Sequence, residues 1–412
     1  MRLHPAFSVF AAALIGLVPL EAHAQDASVA TPSVSVRERP RPEYDPQGMR
    51  FGGFDLNASV DVGVASTDNL FAVSNNGPFN KESDLIYTVS PEARLSSHWT
   101  RNALSVAAGV TRTGHQDFAS EDSTTGFVSG QGRLDVGSDT SVSAGARWAR
   151  QVEPRTNIDA IHANTGEPSI YDTTQGSVSI SHNFNYLQVQ ASAARTELNY
   201  HDVNGVSQNQ RDSNENDGTL RVEYAVSPRI GIVGQATFDQ RKYDNVPGLS
   251  SDGRTLLAGI AVNLTDLMKG QITAGQFKRD YNVGPDVQGT AIDANLQWYV
   301  TQLTTLSFSA TRNAGDQDAT TQAPYVESSY GAHVDHELLR NLILSAGVQT
   351  GSRDFRTINR HDDFTTGELG AQYILNRRVA LTAKYRHDSV DSNVALQEYD
   401  VNTFSLGLSL RL

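Results

Sequence analysis

The final residues of the chain alternate strictly between large apolar side chains and small or polar ones. The even positions hold Phe404, Leu406, Leu408, Leu410 and Leu412. The odd positions between them hold Ser405, Gly407, Ser409 and Arg411. Because successive side chains of a β-strand point to opposite faces, this period of two predicts a strand with one apolar and one polar face.

The same alternation recurs from Gly53 onward, in segments of about 10 to 14 residues, which is long enough for a tilted strand to cross a bilayer. Short turns are expected near 98–102, 137–139, 185, 228, 266–269, 302, 340–341 and 376–377. Polar loops are expected near 66–82, 117–122, 155–170, 202–214, 244–252, 283–289, 315–325, 355–362 and 389–398. Nine loops and eight turns predict about 18 strands, or 16 if one weak hairpin is miscounted.

Long and short connections alternate along the chain, and both termini fall on the short-turn side. This arrangement and an even strand number are typical of outer-membrane barrels of Gram-negative bacteria. Only 38% of the residues are hydrophobic, as expected where lipid meets every second residue and the lumen and loops are polar. We therefore predict an all-β fold, a transmembrane antiparallel up-and-down barrel over residues 53–412.

The amino terminus is predicted to be a secretory signal peptide. Arg2 precedes an apolar run over residues 6–20, and Ala22-His23-Ala24 follows as a small-x-small cleavage site, so the leader covers residues 1–24. Residues 25–52 contain four prolines and are predicted to form an extended, Pro-rich periplasmic arm.

A barrel of this width leaves an aqueous channel unless something fills it. Charged residues on the polar parity are the candidates for lining the lumen: Arg133, Arg147, Arg221, Glu223, Asp239, Arg241, Arg279, Asp293, Glu368, Lys384, Arg386 and Arg411. This mixture of signs suits a hydrated neutral or zwitterionic solute, or a set of ion pairs bracing a closed lumen. Aromatic residues near both strand ends are expected to form two girdles at the lipid boundaries.

No catalytic, cofactor-binding or metal-binding residues are predicted. His333, Asp335 and His336 lie close together in sequence, but no motif places a serine nucleophile beside them. His361, Asp362 and Asp363 are adjacent and are expected to form a solvated loop. The chain has no cysteine, and with a net charge of -13 and scattered basic residues it is not expected to bind nucleic acid.

Two motifs resemble the second type of outer-membrane beta-barrel porin family. They are Tyr44, Asp45, Pro46 and Gly48 after an Arg-Pro-rich arm, and Asp68, Asn69, Leu70 and Phe71 after the first strand. The first motif is typical of a turn that sets the direction of the first strand, or of a docking arm for a partner. The Asp-Asn pair is typical of a strand end held by side-chain hydrogen bonds, or of a cation or sugar site at the loop mouth.

The resemblance implies an outer-membrane channel. Some relatives look like barrel components of exopolysaccharide or capsule export, so the first expectation is an export conduit working with a periplasmic polysaccharide-export protein. The alternatives are a general diffusion porin for small polar solutes and, in another class, a structural or adhesive barrel with a plugged lumen. The other expected partners are outer-membrane lipid and lipopolysaccharide, and the barrel-assembly machinery.

Overall fold

A computed structural model describes residues 34–158, 160, 166–264, 267–315 and 323–412. The predicted signal peptide, residues 1–24, and the first residues of the predicted arm lie outside the described residues. Over the described ranges, no helix is both long and apolar enough to span a membrane.

The described residues form nineteen strands in chain order. The first ten are β1 (Met49–Phe51), β2 (Phe54–Thr67), β3 (Asp84–Ser97), β4 (Ala103–His115), β5 (Ser123–Val136), β6 (Thr140–Val152), β7 (Ile170–Phe184), β8 (Leu187–Tyr200), β9 (Ser213–Ser227) and β10 (Ile230–Tyr243). The remainder are β11 (Ser251–Asn263), β12 (Met268–Tyr281), β13 (Val287–Thr301), β14 (Thr304–Ala314), β15 (Tyr325–Leu339), β16 (Leu342–Phe355), β17 (His361–Asn376), β18 (Val379–Ser392) and β19 (Tyr399–Arg411). Three short 3-10 turns lie in the loops, at Ala119–Glu121, Asn209–Arg211 and Pro247–Leu249.

Strands β2 to β19 form a closed ring. Each strand pairs antiparallel with the next, and β19 pairs with β2 to complete the circle. The short strand β1 folds back on the start of β2 and is not part of the ring. The prediction of an antiparallel up-and-down barrel of about 18 strands is therefore confirmed. Closure satisfies the edge hydrogen bonds that an open sheet would leave unpaired in lipid.

The register carries one parity to the outside around the whole ring. Leu406 lies opposite Val64 and Leu410 opposite Val60, and all four belong to the outer apolar stripe. Large apolar side chains on this parity, such as Ile180, Leu256 and Leu369, are exposed on the outer surface. The opposite parity faces the lumen. We call the end with short connections the turn end and the other the loop end.

Pro91, which interrupts the alternation of the second segment, leaves a local mark on the sheet. Pairing between β3 and β4 runs to Val89 opposite Arg112 and resumes at Glu92 opposite Gly109. Proline has no backbone N–H to donate to a ladder, so the gap falls where the sequence requires it. The strand continues through the gap without a change of register.

Two glycines mark a close approach between the backbones of β11 and β12. A Cβ atom at Gly259 would lie 1.9 Å from the carbonyl oxygen of Ile272, and one at Gly275 would lie 1.8 Å from the carbonyl oxygen of Leu256. At each of these two positions the backbone of the neighbouring strand occupies the space that a Cβ atom would need, so only glycine fits. A buried apolar cluster packs nearby, formed by Leu257, Phe277, Tyr281, Val287, Ala291 and Val326.

The prediction of two aromatic girdles is wrong at the loop end. Most of the aromatic residues expected there lie on the inward parity: Tyr171, Tyr200, Tyr243, Tyr281, Phe355, Phe364 and Tyr399. Phe238 does face outward and is exposed. At the turn end Phe184, Trp298 and Tyr373 are exposed, whereas Tyr299 is buried in the interior. The inward aromatics instead pack against loop residues and arginines.

Candidate functional site: the barrel lumen

All twelve charged residues singled out in the sequence lie on the inward parity of their strands. They are Arg133, Arg147, Arg221, Glu223, Asp239, Arg241, Arg279, Asp293, Glu368, Lys384, Arg386 and Arg411. The register thus brings them to one surface, the inner wall. Their role in lining a path for solutes stays a prediction.

Six of these charged residues pair with each other, within one strand or between strands. Arg386 contacts Glu368 directly across the β17–β18 pair, and its Nε donates to Asp388 at 2.6 Å. Arg279 contacts Asp239 two strands away. These ion pairs connect different strands of the inner wall through charge-assisted hydrogen bonds.

Other partners on the inner wall were missed by the sequence reasoning. Glu215 accepts from Arg241 at 2.7 Å, and Asp135 accepts from Arg133 at 2.8 Å. Both acids share the inward parity of residues that were chosen, so the same alternation could have found them. Arg147 has no ion-pair partner within the described residues, and its guanidinium lies 4.3 Å from the ring of Phe127.

The loop between β6 and β7 reaches the loop end of the lumen through its described residues, 153–158, 160 and 166–169. We call it the crossing loop. It leaves the ring at β6, and its described residues contact the far wall formed by β15 to β19. The hydroxyl of Tyr399 donates to the carbonyl oxygen of Thr156 at 2.8 Å, and Ile158 packs against Tyr325 and Phe355. Because those aromatics point inward, Thr156 and Ile158 of this loop lie inside the barrel, on the side opposite to β6.

Buried ion pairs hold the base of the crossing loop. The guanidinium of Arg211 donates to Glu153 with Nη1 to Oε2 at 2.9 Å, and both side chains are buried. The same guanidinium lies 4.1 Å from the ring centre of Tyr200, which stacks on Tyr171. Arg155 forms a second buried pair, with Glu121. Inward aromatic residues therefore pack against the arginine that pairs with the base of this loop.

The Asp-Asn-Leu-Phe motif closes the seam of the barrel and supports the crossing loop. The carboxylate of Asp68 accepts from the backbone N–H and the side-chain amide of Asn402 on β19, both at 2.7 Å. Asn69 is buried and donates to the carbonyl oxygens of Val73 and Asp400. Phe71 packs edge-on against Phe118 with ring centres 5.2 Å apart.

Leu70 completes the motif through its backbone, because its N–H donates to Glu82 at the far side of the same loop. The guanidinium of Arg155 lies 5.6 Å from the Phe71 ring. The four residues thus act through hydrogen bonds and packing in this structure, and the side-chain oxygens of the Asp-Asn pair are engaged by the chain itself.

Two further loops are tied together near the seam. The Ser74 hydroxyl donates to Glu398 at 2.7 Å, and the Asn76 amide donates to the same carboxylate at 3.3 Å. The hydrogen bond from Ser74 is the largest cause that lowers the pKa of Glu398. The loop of residues 393–398 is thereby fastened to that of residues 68–83.

At the turn end, the amino-terminal arm enters the lumen. We call residues 34–48 the arm. Val36 is buried and its N–H donates to the hydroxyl of Thr305 on β14 at 3.0 Å. Arg37 pairs with Asp335 on β15 at 2.7 Å, and Arg41 pairs with Glu337 at 2.8 Å. These wall residues face inward, so the arm occupies space inside the ring.

The Tyr-Asp-Pro-x-Gly motif shapes the arm where it leaves the lumen. Asp45 accepts from the backbone N–H of Arg41 at 2.6 Å, and the N–H of Tyr44 donates to the carbonyl oxygen of Arg41 at 2.7 Å. Pro46 follows this turn, and Gly48 has a φ of 65°, a conformation in which a side chain is strained. The motif therefore turns the chain out of the lumen toward β1.

Between the crossing loop and the arm, the inner wall reaches solvent. Gln190 on β8 and Ser309 and Thr311 on β14 face inward and are nevertheless exposed. They lie on different sides of the ring. The lumen therefore has a wet polar wall between the two inserted segments.

The two histidine groups do not form catalytic or metal-binding arrangements. His333 lies 3.3 Å from Asp335, and Ser307 lies opposite His333 in the register, yet the described contacts include no hydrogen bond between that serine and that histidine. His336 faces outward. Over the described residues, no three His, Asp or Glu side chains converge as a metal ion would require.

The expectation that His361, Asp362 and Asp363 form a solvated loop is wrong, because these residues begin β17. The alternation separates them, because Asp362 is buried against Arg360 while His361 and Asp363 face outward. His361 lies 2.7 Å from Asp354 on the neighbouring strand. A convergent cluster of the three consecutive side chains is ruled out by this geometry.

Solved barrels resemble this chain at low sequence identity. OccK2 (OpdF) of Pseudomonas aeruginosa is 14% identical with a TM-score of 0.48, covering 87% of this chain and 98% of that one. A BenF-like porin from Pseudomonas fluorescens Pf-5 is 13% identical with a TM-score of 0.49, covering 87% and 99%. OccAB3 of Acinetobacter baumannii is 10% identical with a TM-score of 0.47, covering 87% and 99%. No curated protein matches the sequence significantly.

The family model described as "Putative beta-barrel porin 2" matches residues 41–412. This range begins in the arm, includes both motifs and runs through all eighteen strands of the ring. The resemblance seen in the two motifs is thereby confirmed. The chain belongs to this family of outer-membrane beta-barrel porins.

Proposed function

We propose that this protein is a passive outer-membrane channel for small polar solutes. The observation that carries the proposal is the exposed polar inner wall between two inserted segments. Gln190, Ser309 and Thr311 reach solvent inside a ring whose outside is apolar. A hydrated polar interior lowers the cost of moving a polar solute past a membrane without any energy source.

The inserted segments favour small solutes over polymers. The crossing loop narrows the loop end, and the arm narrows the turn end, both through contacts that bury charged side chains. A polysaccharide chain would have to pass both restrictions. The export role implied by the resemblance has no separate structural feature in its support, so the general porin is the better proposal.

Orientation and partners follow from this proposal. In outer-membrane barrels the short turns face the periplasm and the long loops face the exterior, so the arm would lie at the periplasmic end. Contact with lipopolysaccharide, folding by the barrel-assembly machinery and a periplasmic polysaccharide-export partner all remain predictions.

Conductance and solute size test the proposal. The mature chain, refolded in detergent, should conduct ions in planar bilayers, and vesicles that contain it should swell in solutions of small sugars but not of long oligosaccharides. A correctly refolded barrel that never conducts would support a plugged structural or adhesive barrel instead. Loss of capsule on gene deletion, with unchanged uptake of small sugars, would favour the export role.

A further inference from the structure

The arm places positively charged side chains against negatively charged side chains of the inner wall. Arg37, Arg39 and Arg41 alternate along the arm, and all three lie within 3.5 Å of an acid on β15. Their partners are Asp335 and Glu337, both buried on the inner wall. Three cations therefore cover two carboxylates at the turn end.

The pair between Arg41 and Glu337 is the most enclosed of these contacts. Both side chains are 3% exposed, and Arg41 also donates to the carbonyl oxygens of Val36 and Arg39 at 2.7 and 3.2 Å. This guanidinium folds the arm back on itself while fixing it to β15. Breaking such a pair leaves an uncompensated buried charge.

A third wall element holds the point where the arm leaves the barrel. Arg377, in the turn between β17 and β18, donates to the carbonyl oxygen of Pro42 at 2.7 Å. The arm is therefore attached at β14, β15 and the β17–β18 turn, and spans part of the opening between them. It has only noncovalent attachments there, and the chain has no cysteine.

We propose that the arm is the selectivity-determining constriction of the turn end. Docked, it reduces the cross-section for ions and hides the negative charge of Asp335 and Glu337 behind its arginines. Released, it leaves a wider opening lined by two carboxylates, which attracts cations and repels anions. This inference rests on the proposed channel function and names the element that sets its charge preference.

The test compares unit conductance and reversal potential in planar bilayers under a potassium chloride gradient. The main variant, Arg37→Ala with Arg41→Ala, loosens the arm and uncovers the acids. We expect a larger unit conductance and a potassium-to-chloride permeability ratio raised about twofold or more. Arg50→Ala is the matched control, because Arg50 is exposed and pairs with Asp55 at 3.3 Å, away from β15. It should change neither quantity.

A reversible tether separates the two effects of the arm. Because the chain lacks cysteine, Val36→Cys with Thr305→Cys gives one new disulfide between the arm and β14. In the double-arginine background, the oxidised tether should restore the small conductance of the original chain while the cation preference stays. Reduction should return the large conductance.

The outcomes distinguish this inference from the proposed function. If the original chain conducts and the arginine variant and tether change neither conductance nor selectivity, the role of the arm is wrong and the channel stands. If only arm-loosened variants conduct, the arm is a complete plug, and both the open-channel function and the role of the arm as a selective constriction are overturned. If no folded variant conducts, both fail. Arg37→Ala alone, which breaks a partly exposed pair, replaces the double variant if the latter does not fold.

Discussion

The ion pair between Glu153 and Arg211 should decide whether the crossing loop stays inside the barrel. The Glu153 side chain is 1% exposed and that of Arg211 is 6% exposed. Glu153→Gln removes the negative charge and keeps the shape, so the buried guanidinium of Arg211 loses the carboxylate of Glu153 as an ion-pair partner. Release of the crossing loop lets water reach this arginine. The released state therefore becomes more favourable relative to the docked state.

The expected size of the effect follows from burial. Removing one partner of a buried ion pair costs about 3 to 5 kcal/mol, and about 1.4 kcal/mol corresponds to a tenfold change in an equilibrium constant. The remaining amide still accepts one hydrogen bond, which places the loss near the lower value. The released population should therefore rise more than about a hundredfold.

Glu197→Gln is the matched control for this experiment. Glu197 pairs with Arg195 at 2.9 Å, but the two side chains are 42% and 55% exposed. Exposed pairs of this kind contribute about 0 to 1 kcal/mol. The control should change the released population less than about fivefold.

Trypsin provides the assay, since Arg155 of the crossing loop is 10% exposed while the loop is docked. When opening is fast relative to cleavage, the cleavage rate follows the open population. Cleavage after Arg155 should accelerate strongly in Glu153→Gln, while retained heat-modifiability on gels shows that the barrel is folded. Equal rates in the two variants would show that the buried pair does not hold the loop.

Three further outcomes follow from the same structure. Gly275→Ala should destabilise the barrel by about 1 to 3 kcal/mol or more, because the new Cβ clashes with backbone. Gly176→Ala is the control and should not destabilise it, because a Cβ there meets open space. Urea unfolding in vesicles measures the stability of both variants. In that assay, Leu406→Arg on the lipid face should cost about 2 to 4 kcal/mol and lumen-facing Ser405→Arg much less; equal costs would contradict the assignment of faces. The lowered pKa of Glu398 predicts that the tie between its loop and residues 68–83 is complete above the ordinary value of 4.5 and is lost as pH falls through the lowered value; acid-dependent proteolysis of that loop should become pH-independent in Glu398→Gln.

The sequence alone determined the barrel. Period-two alternation assigns every strand residue to one of two faces, and in a closed ring a single consistent choice of outward parity fixes all of them. The alternation of short and long connections then gives the strand number and the polarity of the two ends. These signals are local and repeated in every strand, so the interruption at Pro91 did not obscure the overall plan.

Only the tertiary structure decided what lies inside the ring. Parity shows that Glu153 follows a strand and that Arg37 precedes one. It does not show that Glu153 pairs with Arg211 or that Arg37 pairs with Asp335, because each partner lies more than fifty residues away in sequence. The loop-end aromatics illustrate the same limit. Their distance from the strand end suggested a lipid boundary. Their parity, which a girdle argument ignores, placed Tyr399 against the crossing loop and Tyr200 against Arg211, which pairs with the base of that loop.

The physical reason is the difference between local and long-range constraints. Alternation is imposed on each strand by lipid on one side and water on the other, residue by residue, and so it is written in the order of the amino acids. The paths of the crossing loop and the arm depend on which buried charges meet across the lumen, and those meetings exist only once the ring has closed.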